Sequence, residues 1–149
     1  MLYMRSSQED PMKRNEKITK IMTSNLTTAH LQQPLSEVRA TMAEGGFHHM
    51  LVVNGKKLIG LISSTDLLRV SYQYGQDVRQ TDAILDDTVD VGSLMSRDLI
   101  TLSEGNTVRD AVDIFSQGQL HSLPVVDSDG NLVGLATTTD VLRYMKEQY

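Results

Sequence analysis

The sequence repeats itself. Sliding it by 73 positions aligns Met22 with Met95, Leu26 with Leu99, Thr28 with Thr101, Gly45 with Gly118, His48 with His121, Val52 with Val125 and Val53 with Val126. Past a one-residue insertion the offset becomes 74. Leu58 then aligns with Leu132, Gly60 with Gly134, Leu61 with Leu135, Thr65 with Thr139, Asp66 with Asp140, Leu68 with Leu142 and Arg69 with Arg143. The insertion falls where a turn is expected, at Asn54-Gly55 in one copy and between Asp127 and Gly130 in the other, and turn tips tolerate a change in length. Such agreement marks a duplication. The chain of 149 residues must therefore build one supersecondary unit twice. Halves of about 60 residues are each marginal alone, so the two are expected to pack on one another.

Each copy reads β-α-β-β-α. An extended stretch comes first, over residues 26–31 and 99–102. A helix follows, with Leu35, Val38 and Met42 on one face in the first copy and Val108, Ala111, Val112 and Phe115 in the second; spacings of three, four and seven make that face. Gly45-Gly46 and Gly118 supply the stop. Two short apolar strands come next, 50–53 with 58–62 and 123–126 with 132–136, joined through Asn-Gly or Asp-Gly, which favour the positive φ of tight hairpins. A second helix starts near Ser64 and Thr138 and carries Leu67, Leu68 and Val70, or Val141, Leu142 and Tyr144.

Composition limits what such a chain can do. The formal net charge is −5, so general binding to a phosphate backbone is not expected. A small phosphorylated ligand is not excluded, because the local field of a pocket can oppose the net charge. The absence of cysteine removes disulfides, zinc–thiolate sites and thiol catalysis, and fits a cytoplasmic protein. The longest apolar stretches are far too short to span a bilayer. Residues 1–17 are polar, without the apolar run of a signal peptide, and are read as a mobile extension or a loosely docked helix. Residues 73–91 are polar and acidic, with Asp77, Asp82, Asp86, Asp87 and Asp90, and are expected to hold the end of the preceding helix and a short connector.

The run Leu123-Pro124-Val125-Val126-Asp127, then Gly130, then Leu132-Val133-Gly134-Leu135-Ala136-Thr137-Thr138-Thr139-Asp140-Val141-Leu142 resembles the signature of CBS domains. So does Leu94-Met95-Ser96-Arg97-Asp98-Leu99-Ile100-Thr101-Leu102 upstream. The first copy is looser, with Leu51 in place of the usual proline and Asn54 where Asp127 stands. The resemblance implies an α+β fold: two CBS repeats packed as a pseudo-twofold (Bateman) module of the stand-alone bacterial type. It divides the chain into an extension over 1–17, repeat 1 over 18–75, an acidic linker over 76–90 and repeat 2 over 91–147. It further implies a homodimer, no obligatory cofactor, and an adenosyl ligand (AMP, ADP, ATP, NAD or S-adenosylmethionine type) in clefts between the repeats. An unidentified protein partner in trans would respond to the bound state.

By the same resemblance Asp66 and Asp140 would hold a ribose, and Ser63 and Thr137 would give hydroxyl contacts to ribose or phosphate. The chemistry fits: a carboxylate accepts from two ribose hydroxyls, and hydroxyls with free N–H groups at a helix start hold phosphate oxygens. The same residues also make an ordinary N-cap cluster. His48 and His121 would reach phosphates, or be strand-edge histidines with backbone partners. Thr28, Ile100 and Thr101 would lie beside a purine, with Leu26 and Leu99 as core or as apolar walls. Thr65 and Thr139, with Ser64 and Thr138 before them, stand where polyphosphate-binding members place a basic residue. A hydroxyl brings no charge, so AMP, adenosine or S-adenosylmethionine-like ligands are favoured over triphosphates. His48-His49 lacks the nearby carboxylates a metal site needs.

No nucleophile elbow or Walker loop is present, and Thr137-Thr138-Thr139-Asp140 has no histidine placed as base. The chain is read as non-catalytic. One reading is a regulatory adenosyl-ligand sensor; the other is a structural dimerisation or interaction module whose pockets stay empty. Neither involves nucleic acid or membrane.

Overall fold

A computed structural model describes residues 15–74 and 78–149. The expected N-terminal extension lies outside the described residues as far as residue 14, as do residues 75–77 of the linker. The described chain forms two three-stranded sheets with helices, in the α+β class. It divides into two compact units. A central unit holds Leu26–Ile100 with Asp129–Leu132; a terminal unit holds the described residues from 15 to 25, Thr101–Ser128 and Val133–Tyr149.

In the central unit, β1 (Ala29–His30) runs parallel to β2 (His49–Asn54), which pairs antiparallel with β3 (Lys57–Ser63). Gly55, at φ 63°, opens the two-residue turn between β2 and β3, where a side chain in the left-handed region would be strained. The register slips between Val52 and Val53, so that Val52 faces Gly60 and Val53 faces Leu58, which is a β-bulge. Helix α1 (Leu35–Gly45) buries Leu35, Val38 and Met42, the apolar face read from the spacing, and ends at Gly46 with φ 66°. Helix α2 (Ser64–Tyr74) adds Leu67 and Val70 to the same core, with Met50, Val52 and Ile62 from the strands.

The terminal unit repeats this plan. Strand β4 (Leu102–Ser103) runs parallel to β5 (Ser122–Val126), beside β6 (Leu132–Thr137). The register of β1 on β2, Ala29 against Val52, returns as Leu102 against Val125. Helices α5 (Val108–Phe115) and α6 (Thr138–Gln148) cover the sheet, and Leu123, Val125, Ala136, Val108 and Ala111 form the core. No helix among the described residues is long and apolar enough to cross a membrane.

The structure differs from the linear reading in two ways. The extended stretches over 26–31 and 99–102 are mostly irregular, and only two residues of each copy form a strand. The reason lies just upstream. Thr23 bridges Leu135 through two backbone hydrogen bonds of 2.8 Å, inside the terminal unit. Ser96 bridges Leu61 in the same way, at 2.8 and 2.9 Å, inside the central unit. Each leading segment thus pairs with the sheet of the other repeat, and the residues that follow carry the chain back without a ladder partner.

The glycines in β3 and β6 serve these segments. A Cβ at Gly60 would run into the Met95 thioether and stand 3.0 Å from the Ser96 carbonyl oxygen; one at Gly134 would meet Met22. A buried Val91, just before Met95, and a buried Ile18, just before Met22, complete the two arrangements.

The second difference is in the acidic linker, which forms a helix, α3 (Val78–Thr88), followed by a short turn of helix, α4 (Val91–Leu94). Leu85 of α3 is 1% exposed and belongs to the central core. Asp82 pairs with Arg39, and Asp86 accepts hydrogen bonds from the Ser36 N–H at 2.8 Å and the Ser36 hydroxyl at 2.6 Å. Two of its aspartates, Asp82 and Asp86, thus face partners on α1 where the linear reading expected a short connector.

Candidate functional site

The two hydroxyl–aspartate motifs stand at equivalent strand-to-helix junctions. In the terminal unit β6 ends at Thr137, whose extended backbone (φ −119°, ψ 160°) makes it the N-cap of α6. Its hydroxyl accepts from the Asp140 N–H at 3.0 Å, and Asp140 Oδ2 accepts from the Thr137 N–H at 3.0 Å. This is a capping box, two otherwise orphaned donors satisfied reciprocally. In the central unit Ser63 accepts from the Asp66 N–H at 3.1 Å. Asp66 Oδ2 accepts from the Ser63 hydroxyl at 2.7 Å and from its N–H at 3.3 Å.

The second carboxylate oxygen has a different neighbour. Asp140 Oδ1 lies 3.6 Å from Arg143, and Asp66 Oδ1 accepts from Arg69 at 3.2 Å. Each arginine sits one turn along the same helix, where side chains three apart meet. Asp140 is 8% exposed, whereas the Asp66 side chain is 25% exposed.

The histidines join the junctions through their backbones. The His48 carbonyl accepts from the Ser64 N–H at 2.8 Å, and that of His121 from the Thr138 N–H at 3.0 Å. His48, His49 and His121 are exposed residues. Among the described residues no cluster of His, Asp and Glu is placed to hold a metal ion.

Of the third set, Thr28 and Thr101 lie toward the same end of their sheets. Because β1 is parallel to β2, Thr28 precedes β1 toward the end where β2 begins at His49 and β3 finishes at Ser63. Thr101 precedes β4 toward the end where β5 begins at Ser122. Thr28 is half-buried and Thr101 exposed. Ile100 is exposed, and Leu26 and Leu99 are half-buried, outside either core cluster. Ser64 and Thr138 are half-buried as the helices open, and Thr65 and Thr139 are exposed one residue on. Thr28, His48, Ser63, Thr65, Asp66 and Ile100 belong to the central unit, and Thr101, His121, Thr137, Thr138, Thr139 and Asp140 to the terminal unit, so Ile100 and Thr101 fall on opposite sides of the division. Sequence reasoning passed over a cavity of about 340 Å³ in the central unit. It lies between α1 and α2 and is lined by Arg39, Met42, Phe47, Ser64, Leu67 and Leu68 among others. The exposed Phe47 just after the α1 stop was the available signal.

The family model for the CBS domain matches residues 18–72 and 91–147. The chain belongs to the CBS-domain family. It is 31% identical over 137 residues to protein MJ1225 of Methanocaldococcus jannaschii, covering 91% of this chain and 49% of that protein. The crystal structure of MJ1225 superposes with a TM-score of 0.70 over 88% of this chain and 48% of that one, at 30% identity. The CBS-pair protein CBSX2 of Arabidopsis thaliana is 22% identical with a TM-score of 0.71, over 90% of this chain and 96% of its own. The CBS pair of protein MJ0100, solved with 5′-methylthioadenosine and S-adenosylmethionine, is 23% identical with a TM-score of 0.64, over 87% of this chain and 98% of that one. CBSX2 has also been solved with AMP. The chain spans roughly a quarter to a half of the length of the first curated relatives it matches.

Proposed function

We propose that this CBS pair is a non-catalytic regulatory module that binds an adenosyl ligand at the Asp66 and Asp140 junctions and passes the bound state to a protein partner. One observation carries the reading. In both copies a carboxylate is held rigidly by its own capping box through Oδ2, which leaves Oδ1 outside the cap beside an exposed arginine. A fixed acceptor suits a ribose diol, because little side-chain freedom is lost on binding. The relatives solved with AMP, 5′-methylthioadenosine and S-adenosylmethionine support the ligand class. Ser63 and Thr137 supply hydroxyls, the histidines stand at the phosphate side, and Thr28, Ile100 and Thr101 flank the base. In this reading residues 18–75 and 91–147 are the working repeats, 76–90 join them, 1–17 precede them, and the protein acts in the cytoplasm.

A second reading, an interaction module, has its own support. Phe47 and Leu68 in the central unit and Val112, Leu142 and Met145 in the terminal unit are large apolar side chains left exposed. Burial against a second copy would remove them from water, and we take the homodimer as part of either reading.

Thermal melting in the presence of AMP, ADP, ATP, NAD and S-adenosylmethionine separates the two. A ligand at 100 times its Kd adds about 2.7 kcal/mol, a rise in Tm of several degrees for a chain of this size. Asp66→Ala and Asp140→Ala are each expected to abolish the ligand-induced rise from their own site. No rise with any adenosyl compound leaves the interaction module. A rise that survives both substitutions rejects the ribose assignment.

A further inference from the structure

The two arginines that follow the motif aspartates have no part in capping or in either core. Arg143 stands on Asp140 Oδ1 at 3.6 Å and Arg69 on Asp66 Oδ1 at 3.2 Å, with side chains 67% and 70% exposed. In each copy Oδ2 is committed to the capping box, so Oδ1 is the oxygen through which a new hydrogen bond is gained without uncapping the helix. A hydroxyl that reaches Oδ1 must share it with the guanidinium or displace it. Exposed ion pairs of this kind part easily, and an arginine freed on a long stem finds its best new partner in a phosphate, which it grips with two parallel N–H bonds.

We propose that Arg69 and Arg143 are the specificity-determining residues of the two junctions. Each guanidinium guards the acceptor oxygen and is handed on to an anionic group attached to the ribose. The preferred ligands are therefore adenosyl compounds carrying a phosphate within an arginine's reach of the sugar. Adenosine, which offers nothing to the displaced guanidinium, binds less well. The inference rests on the ribose reading given above and deepens it.

Isothermal titration of the full chain with AMP and with adenosine tests it, using the wild type, Arg69→Gln, Arg143→Gln and the double variant. Glutamine keeps the apolar stem and the helix propensity, and melting curves check that each variant folds. The wild type is expected to prefer AMP. Each substitution should weaken AMP at its own site by about tenfold, the loss of one charge-assisted contact, while adenosine binds as before or more tightly. Arg143→Lys should restore part of the AMP preference. Equal loss for both ligands, or equal affinity of the wild type for both, overturns the proposal and leaves the ribose reading standing. Failure of the wild type to bind either compound overturns the proposal, and the melting series with ADP, ATP, NAD and S-adenosylmethionine then decides the ribose reading separately.

Discussion

At the scale of single residues, the informative comparison is among three boxes of the same kind. Ser63 with Asp66, Thr107 with Asp110 and Thr137 with Asp140 are each a hydroxyl N-cap followed three residues later by a carboxylate that bonds back. The Thr107 box opens α5, away from the strand-to-helix junctions, so the pattern by itself caps helices and does not mark a ligand. The distinction is in the second oxygen, which has an arginine beside Asp66 and Asp140. At Asp110 the Thr107 N–H (2.8 Å) and the Asn106 side-chain amide (3.0 Å) both bond to Oδ2. The backbone bond from Thr107, then the Asn106 bond, hold the Asp110 carboxyl below the usual carboxylate range. A pKa lower in the folded than in the unfolded chain adds stability above the unfolded value, and that stability is lost as pH falls toward the folded one. Wild type should therefore exceed Asp110→Asn in Tm at pH 7, and the gap should narrow as pH drops through the carboxylate range. A gap that holds constant down to pH 3 would mean that the charge of Asp110 does not matter.

Among the elements, α3 departs most from the linear reading. Its partner α1 begins at Pro34, which has no side chain able to cap, whereas α5 in the other repeat begins at Thr107 with a complete capping box. Asp86 supplies the missing cap from another helix, by accepting the Ser36 N–H. The two repeats thus solve the same end problem differently, one locally and one through the linker. Leu85→Ala should cost about 2–5 kcal/mol, as for other fully buried leucines. Asp86→Ala should cost about 1 kcal/mol, the value of an N-cap. Urea denaturation of the full chain measures both. If Leu85→Ala is silent, α3 does not hold this position in solution.

For the whole molecule, the exchange of leading segments decides which residues stabilise which sheet. Ile18 is fully buried in the core that Leu123, Val125 and Ala136 build, more than 100 positions later in the chain. Val91 is fully buried in the core of the preceding repeat. Ile18→Ala should therefore lower hydrogen-exchange protection in Ser122–Val126 and Leu132–Thr137 more than in His49–Asn54, and Val91→Ala should do the reverse. The opposite pattern would mean that each segment serves its own repeat.

Period and offset were enough to place α1, α2, α5 and α6, the hairpin strands, the Gly55 and Gly130 turns and the equivalence of the two aspartate junctions. These features depend on contacts a few residues apart, and such contacts leave a local signature in side-chain spacing. The sequence alone therefore determined a duplicated α+β chain with two matched strand-to-helix junctions. Three things needed the tertiary structure: the pairing of Thr23 with Leu135 and of Ser96 with Leu61, the use of Gly60 and Gly134 to admit Met95 and Met22, and the helical state of the acidic linker. Each depends on a partner distant in sequence, and no local pattern says whether an aspartate faces water or the end of a neighbouring helix.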